Sequence, residues 1–222
     1  MKTAVIIGST GLVGKDLVKR LAESSQYAQV LAISRKSINW ESSKVKCVLF
    51  DFNKWEELEA QIKNFCSFGE IHGFCALGTT IKEAGSQDQF KKVDLMYPMN
   101  FAKLLNKLNA EKLVVVSALG ADLKSNIFYN RVKGQMESEL TQIFSKQVAF
   151  VRPSLLLGHR DKVRLGERIS EIIFYALKPL FQNFLKAYCP IKSDQVAKAM
   201  IKIAENKIQK NVFENEELLN LS

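Results

Sequence analysis

Short apolar stretches alternate with amphipathic helical stretches along the first 158 residues of the chain. Near-continuous apolar strands separated by helices are typical of a parallel sheet that helices cover on both faces. The sequence therefore predicts an α/β fold with a doubly wound parallel sheet. The predicted strands are 3–8, 30–35, 46–52, 71–78, 112–120 and 147–158, and the predicted helices are 12–23, 54–65, 86–109 and 127–144.

Three glycines follow the first predicted strand, in the stretch GSTGLVG. In a dinucleotide-binding fold, one glycine permits a tight turn, another lets the backbone approach the pyrophosphate, and a third lets the helix pack on the strand. The start of the helix offers unpaired N–H groups and the positive end of its dipole to the phosphates. We therefore predict a Rossmann fold whose cofactor contacts are Gly8, Ser9, Thr10, Gly11, Leu12, Val13 and Gly14.

The end of the second predicted strand indicates which dinucleotide binds. An NAD site usually carries an acidic residue there to bind the ribose 2′-hydroxyl, but this strand ends in Ser34, Arg35 and Lys36. The planar guanidinium of an arginine suits a 2′-phosphate, so the sequence favours NADP(H) over NAD(H). In the alternative, Arg35 and Lys36 are only exposed loop charges. After the third strand, Asp51 and Phe52 are predicted to flank the adenine.

A tyrosine followed four residues later by a lysine occurs twice, and the context separates the two cases. Tyr129 and Lys133 lie in a helical stretch, so they share one helix face. The second occurrence, YCPIK at 188–192, contains a proline that makes a helix improbable. Ser117 ends the fifth predicted strand, at the sheet edge where ligands bind in open α/β folds. We predict Ser117, Tyr129 and Lys133 as a catalytic trio.

The chemistry of this trio suits the reduction of a carbonyl group. A free tyrosine is a poor base at neutral pH, and a lysine ammonium beside a phenol favours the phenolate. That pairing brings Tyr129 toward acid–base catalysis. The Ser117 hydroxyl can bind the carbonyl oxygen where negative charge develops. The alternative is a structural serine beside a surface tyrosine–lysine pair.

Six further segments carry a resemblance to a known family over roughly residues 1–205. Together with the glycine spacing, they resemble the Tat-interacting-protein-like branch of the atypical short-chain dehydrogenases/reductases. The segments are CALGTT (75–80), AG (84–85), FKKVD (90–94), SALGAD (117–122), YNRVKGQME (129–137) and VRPSLLLG (151–158).

This resemblance implies an NADPH-binding Rossmann fold in which Lys133 also holds the nicotinamide ribose. Members of the branch are also associated with regulatory protein binding. Asp94 departs from the wider extended family, in which an asparagine is common at this position. The resemblance further implies a cofactor-facing loop of Leu77, Gly78, Thr79 and Thr80, and a nicotinamide side closed by Arg152, Pro153, Ser154 and Leu155.

The sequence thus predicts an NADP(H)-dependent oxidoreductase that transfers hydride between a nicotinamide and a carbonyl or alcohol substrate. The alternative is a non-catalytic NADP(H)-sensing protein that binds a protein partner. We expect a single domain over 1–222, with a cofactor part of about 1–158 and a small helical substrate-capping part of about 159–222. Within the latter, 166–188 predicts one or two apolar helices and 193–207 a further helix.

Composition excludes several other classes of protein. The formal charge of +9 is spread along the chain without a nucleic-acid-binding motif, so no nucleic-acid partner is expected. The apolar stretches are too short for a membrane span; contact of 169–186 with a membrane surface is a less favoured alternative to a pocket wall. The four cysteines are widely spaced, so we expect no metal site and a reduced, cytoplasmic protein.

Overall fold

The computed structural model describes residues 2–65, 69–158, 188–207 and 209–222. The strands within these ranges are β1 (Lys2–Ile7), β2 (Tyr27–Ser34), β3 (Val45–Leu49), β4 (Glu70–Cys75), β5 (Lys112–Val116), β6 (Gln147–Arg152), β7 (Leu156–Leu157), β8 (Ile191–Lys192) and β9 (Val212–Glu214). Seven of them form one parallel sheet in the order β3-β2-β1-β4-β5-β6-β9, and β7 pairs with β8. The predicted doubly wound Rossmann sheet is therefore confirmed.

Helices cover both faces of this sheet. Because successive strand residues point to opposite faces, Val5 and Ile7 of β1 belong to one apolar cluster and Ala4 and Ile6 to the other. The described helices are α1 (Leu12–Glu23), α2 (Trp55–Phe65), α3 (Ile81–Ala84), α4 (Gln87–Lys91), α5 (Tyr97–Lys107), α6 (Phe128–Ile143), α7 (Ser193–Glu205) and α8 (Asn215–Leu221). The first cluster packs under α2, α5 and α6, and the second under α1, α7 and α8.

The long helix predicted over 86–109 is observed as a continuous helical run over 87–107 that contains a π turn. Gly85 ends α3 in a left-handed conformation (φ +84°), and Ser86 caps the start of α4. A π-helical turn, Lys92–Met96, joins α4 to α5. Pro98 lies in the first turn of α5, where a missing N–H is tolerated. The π turn matters for function because it carries Asp94.

The predicted division of the chain also needs a correction. Residues 191–221 do not simply cap the sheet, because α7 packs on α1 and β9 adds the seventh strand beside β6. A strand of three residues carries too short a pattern to be recognised, and β9 was missed for that reason. The predicted apolar helices of 166–188, including the alternative membrane-surface segment, fall outside the described residues except at Tyr188. None of the described helices is long and apolar enough to cross a membrane.

A buried polar chain closes the amino-terminal edge of the sheet, opposite the cofactor edge. The His72 ring bonds the Tyr27 hydroxyl through Nδ1 (2.7 Å) and the Glu70 carboxylate through Nε2 (2.8 Å). Tyr27 and His72 are fully buried. Burial lowers the pKa of His72 below its usual value, and Glu70 only partly opposes that effect. The folded protein therefore favours a neutral His72.

Candidate cofactor cleft and catalytic site

The glycine turn between β1 and α1 has three distinct steric requirements. Gly8 has a φ of +81°, and a Cβ there would lie 2.5 Å from the carbonyl carbon of Ala76. A Cβ on Gly14 would lie 2.1 Å from the carbonyl oxygen of Gly8, so α1 can approach the turn only with glycine there. Gly11 is exposed, and its Cβ would lie 3.3 Å from the Gly8 oxygen and 3.8 Å from the Ala76 oxygen. These are the turn, the helix contact and the open backbone surface that a dinucleotide fold requires.

The turn opens onto a cleft of about 640 Å³ at the carboxyl ends of the strands. Gly11 is the N-cap of α1 and supplies no side-chain cap, so the first N–H groups of the helix are left for a ligand. Thirteen predicted site residues line the cleft: Thr10, Gly11, Leu12, Val13, Leu77, Gly78, Thr79, Ser117, Tyr129, Lys133, Pro153, Ser154 and Leu155. The cleft therefore joins the glycine turn to the predicted catalytic trio.

The other predicted residues are not among those lining the cleft. Gly8 lies within the turn and Gly14 in the first turn of α1. Thr80 caps α3 by accepting a hydrogen bond from the Glu83 N–H. The buried Ser9 side chain donates to the Ile33 carbonyl (3.1 Å), which ties the ends of β1 and β2 together. Any contact of Ser9 with a phosphate therefore involves its backbone.

The residues predicted near the adenosine follow β2 and β3. Arg35 and Lys36 are exposed directly after β2, whereas Ser34 is buried and donates to the Lys36 carbonyl (2.5 Å). Because β2 pairs with β1, these two cations lie beside the glycine turn. Asp51 is exposed and accepts a hydrogen bond from the Asn53 backbone (3.1 Å).

Phe52 differs from its predicted role, because its side chain is buried. Its ring packs on Phe50, Trp55 and Tyr97, with centroid distances of 5.0, 5.6 and 5.0 Å. Only 5% of Phe52 is exposed, so little of the ring is left for an adenine. This cluster fixes the loop after β3 and leaves Asp51 as the exposed residue of the pair.

Lys133 is held by a carboxylate that the predicted trio did not include. Its Nζ lies 2.8 Å from Asp94 Oδ1, and both side chains are buried. The other oxygen of Asp94 accepts a hydrogen bond from the Thr79 N–H (3.0 Å), in the cofactor-facing loop. Burial by itself would lower the pKa of Lys133, but Asp94 and Tyr129 raise it above the usual value. Lys133 is therefore a buried ammonium with a carboxylate partner.

Tyr129 lies one helical turn before Lys133 and lines the same cleft. Its half-buried ring packs on Phe90 with a centroid distance of 5.5 Å. Gly134 lets α6 approach the preceding loop, since a Cβ there would lie 2.3 Å from the carbonyl carbon of Asp122. The local packing thus fixes the helix face that presents Tyr129 and Lys133 to the cleft.

Ser117 lines the cleft but its hydroxyl is already engaged. Ser117 Oγ donates to Glu137 Oε1 (2.5 Å), and only 4% of Ser117 is exposed. Arg152 binds both oxygens of Glu137 (2.9 and 2.6 Å) and also Glu214 (2.8 Å). Arg152 is thus a structural cation between two carboxylates, behind the cleft rather than on its nicotinamide side. The predicted role of Ser117 would require its hydroxyl to leave Glu137.

Sequence reasoning missed three residues of this site. Glu137 had a recognisable signal, because Tyr129, Lys133 and Glu137 recur every four residues and so share a helix face. Asp94 was noticed only as a departure from the family, and its contact with Lys133 joins residues 39 positions apart. Tyr188 lines the cleft at the end of a segment outside the described residues.

The described residues contain no group of three or more His, Cys, Asp or Glu side chains that could hold a metal ion. Cys47 and Cys75 carry free thiols. Burial raises the pKa of the Cys75 thiol to about 12, so this group beside the Asp94–Lys133 pair is neutral at physiological pH.

Comparison with known proteins places the chain among sequence relatives of similar length. A family model described as HIM1 matches residues 29–180. The mitochondrial protein FMP52 of Debaryomyces hansenii is 32% identical over 209 residues, which cover 93% of this chain and 89% of that protein. Protein HTATIP2 of Rattus norvegicus is 28% identical over 226 residues, which cover 99% of this chain and 89% of that protein.

Solved structures share the fold at much lower sequence identity. MoeE5 in complex with UDP-glucose and NAD aligns with a TM-score of 0.69 at 14% identity, over 99% of this chain and 80% of that chain. UDP-glucose 4-epimerase of Thermotoga maritima aligns with a TM-score of 0.71 at 15% identity, over 100% of this chain and 81% of that chain. Human SDR39U1 (isoform 2) with NADPH aligns with a TM-score of 0.60 at 16% identity, over 98% of this chain and 77% of that chain. These likenesses support an NAD(P)-binding fold and no particular substrate.

The expectation of a cytoplasmic protein is wrong on this comparison. The FMP52 relatives from Debaryomyces hansenii, Scheffersomyces stipitis, Eremothecium gossypii and Candida albicans are all named mitochondrial. The expectation rested on widely spaced, unpaired cysteines. Such cysteines argue against a compartment in which disulfides form, but they do not separate one reducing compartment from another.

The sequence resemblance and the fold lead to the same assignment. The HIM1 model covers more than half of the chain, and the glycine turn and parallel sheet are those of a dinucleotide-binding protein. The match to HTATIP2 confirms the resemblance inferred from the six segments. The chain therefore belongs to the HIM1 family and is an atypical short-chain dehydrogenase/reductase, related to the FMP52 proteins and HTATIP2.

Proposed function

We propose that this chain is an NADP(H)-dependent oxidoreductase acting on a carbonyl or alcohol substrate. The observation that carries the proposal is that residues of the glycine turn line the same cleft as Tyr129 and Lys133. A cofactor phosphate at the start of α1 and a reacting group beside Tyr129 would occupy the two ends of that cleft. The bound nicotinamide would supply the hydride, and the chain would supply binding groups and a proton.

The residues around the glycine turn suit a dinucleotide. The uncapped N–H groups of α1 favour a pyrophosphate, and the exposed backbone at Gly11 leaves room for it. Arg35 and Lys36 are exposed beside the turn, which supports a 2′-phosphate there. Human SDR39U1 was solved with NADPH and MoeE5 with NAD, so fold likeness alone leaves this preference open. We therefore base the preference for NADP(H) on Arg35 and Lys36.

Tyr129 is the proposed proton donor and Lys133 its neighbouring cation. Tyrosine hydroxyls can act as general acids when a positioned charge assists them. Lys133 is also close enough to the cleft to hold a ribose hydroxyl, as the family resemblance implies. The Ser117 hydroxyl would bind the substrate oxygen only after leaving Glu137, so we give Ser117 the least weight of the three.

The cofactor proposal is tested by titrating the protein with NADPH and with NADH. Binding can be followed by quenching of the fluorescence of Trp40 and Trp55 and by thermal stabilisation. We expect micromolar affinity for NADPH and weaker binding of NADH. Arg35→Asp should weaken NADPH binding by about tenfold or more, because a charge-assisted contact is lost. Lys19→Asp, the same charge change on the exposed side of α1, is the control and should not alter the preference.

The alternative function, a cofactor-sensing protein without catalysis, is favoured by the engagement of Ser117 with Glu137. A panel of aldehydes and ketones, assayed with NADPH, separates the two. Turnover that falls by about a hundredfold or more in Tyr129→Phe, with unchanged NADPH affinity, supports the enzyme. Binding of NADPH without turnover of any member of the panel supports the sensor. Binding of neither nucleotide would refute both.

A further inference from the structure

We propose that Asp94 is a positioning residue that serves as the counter-ion of Lys133 and thereby keeps Tyr129 in its phenol form, as a proton donor. Asp94 stands where the wider extended family commonly has asparagine, and it ends FKKVD, one of the segments that carry the resemblance to the narrower branch. The proposal rests on the function above only for the direction of the reaction that it implies. The contacts of Asp94 themselves are independent of any cofactor.

The first step is the closeness and burial of the ion pair. The Lys133 ammonium and the Asp94 carboxylate are 2.8 Å apart, with side-chain exposures of 3% and 0%. The Thr79 N–H donates to the second oxygen of Asp94 (3.0 Å), which anchors the carboxylate to the loop after β4. Isolated charges are costly in a protein interior, and paired, hydrogen-bonded ones are much less so. The pair is therefore electrically compensated without any contribution from Tyr129.

The second step concerns the phenol. A lysine favours a phenolate beside it because the phenolate compensates the ammonium. Here Asp94 already provides that compensation, and ionising Tyr129 would add a second negative charge next to a neutral pair. If Asp94 were uncharged, the Tyr129 phenolate would be the remaining partner for a buried ammonium. Asp94 and the Tyr129 phenolate thus compete for Lys133.

Other titratable groups around Tyr129 do not change this balance. Cys75, at the end of β4, stays neutral at physiological pH because burial raises its pKa to about 12. Lys15 of α1 and Glu83 of α3 line the cleft with opposite charges, and Glu83 is exposed to solvent. The Tyr188 side chain, which also lines the cleft, is 57% exposed. Glu137, one helical turn after Lys133, is also buried, but its carboxylate is paired with Arg152. Asp94 is therefore the buried carboxylate that pairs with Lys133.

The consequence is that the resting site at neutral pH holds the proton that the reductive step needs. When a carbonyl carbon accepts hydride, its oxygen takes the proton of the Tyr129 hydroxyl, and the resulting phenolate then recovers a proton from water. Oxidation of an alcohol needs the phenolate first, as a base to accept the hydroxyl proton. A site that keeps the phenol protonated therefore suits the reductive direction.

The test is a titration of the ligand-free protein, followed by the ultraviolet absorbance of tyrosinate. The contribution of Tyr129 is obtained by subtracting the matching Tyr129→Phe protein, because the chain has five tyrosines. In Asp94→Asn, the Tyr129 phenolate should appear about one pH unit or more lower than in the unmodified protein. The same comparison in the Lys133→Met background is the control, and there the shift should vanish.

Each other outcome contradicts the proposal. An unchanged or higher midpoint in Asp94→Asn would mean that Asp94 does not compete with the phenolate. A shift that persists in Lys133→Met would mean that Asp94 acts directly on the phenol rather than through Lys133. If Asp94→Asn does not fold, Asp94→Ser also removes the charge and keeps an acceptor for the Thr79 N–H. Because no nucleotide is present, failure of cofactor binding would refute the proposed function and leave this titration interpretable.

Discussion

Alanine substitutions at the two glycines near the start of α1 should change different properties. Gly14→Ala should lower the stability of the fold, and Gly11→Ala should lower the affinity for the cofactor. A methyl group on Gly14 would lie 2.1 Å from Gly8 O, 2.8 Å from Gly8 C and 2.9 Å from the Cα of Ser9. All three are backbone atoms, and none can rotate away. Because Cβ atoms essentially never approach closer than 3.0 Å, α1 would have to move by about 1 Å.

The cost of that movement can be estimated from general packing energetics. Overpacking of a well-packed site costs about 1–3 kcal/mol, and three backbone contacts favour the upper end. The helix propensity of alanine over glycine returns about 1 kcal/mol. Gly14→Ala should therefore lower the free energy of unfolding by about 2 kcal/mol, which corresponds to a decrease in Tm of roughly 4–8 °C for a chain of this size.

Gly11→Ala should change the stability of the fold little and the affinity for NADPH strongly. Its methyl group would lie 3.3 Å from Gly8 O and 3.8 Å from Ala76 O, which is an ordinary contact, so the loss of stability should stay below about 1 kcal/mol. The same methyl group would project onto the exposed backbone surface that the pyrophosphate is proposed to contact, so NADPH affinity should fall by about tenfold or more. Thermal unfolding and NADPH titration of both variants test this pair. Unchanged NADPH affinity in Gly11→Ala, or unchanged stability in Gly14→Ala, would refute the steric reasoning.

Three buried polar side chains support further predictions. As pH falls below about 6.5, the unfolded chain takes up a proton that the buried His72 of the folded state resists, so stability should fall. The free energy of unfolding, measured with urea between pH 7 and 5.5, should fall less steeply with pH in His72→Gln than in the unmodified protein, by up to about 1.4 kcal/mol per pH unit. Equal slopes in the two proteins would contradict a neutral, buried His72. Glu137→Gln should cost about 2–4 kcal/mol in urea unfolding because it leaves Arg152 with Glu214 alone, and a cost below about 0.5 kcal/mol would show that the pair is not structural. Ser117→Ala should cost about 1 kcal/mol of stability and change turnover little; a loss of a hundredfold in turnover would instead restore Ser117 to the catalytic trio.

Much of the fold could be predicted because its strands are short and almost wholly apolar. The prediction for α1, 12–23, agrees with the observed Leu12–Glu23, and the glycines at its start explain why that boundary is sharp. The helix predicted over 86–109 is observed as a continuous run over 87–107, but the π turn within it was not predicted. The amphipathic pattern continues through that turn. Periodicity thus located the helix but not the local change in its hydrogen bonding.

The residue types of the candidate site could be predicted, but the hydrogen-bond and ion-pair partners of those residues could not. Ser117, Tyr129 and Lys133 all line the cleft, as the motif indicates. Whether each hydroxyl or ammonium is available depends on partners that no local pattern encodes. Ser117 donates to Glu137 of α6, which Arg152 holds from the end of β6.

These distant partners also determine which proton transfers the predicted trio can perform. The same tyrosine and lysine favour a phenolate when the lysine lacks a counter-ion and a phenol when a carboxylate compensates it. In this chain that carboxylate comes from the π turn, through a contact of 2.8 Å between α6 and the segment before α5. A Tyr-x-x-x-Lys spacing therefore specifies the chemistry of proton transfer but not the protonation state in which the tyrosine rests. Since Asp94 also accepts a hydrogen bond from the cofactor-facing loop, one carboxylate connects the charge of Lys133 with the position of that loop, and its replacement by asparagine should affect both.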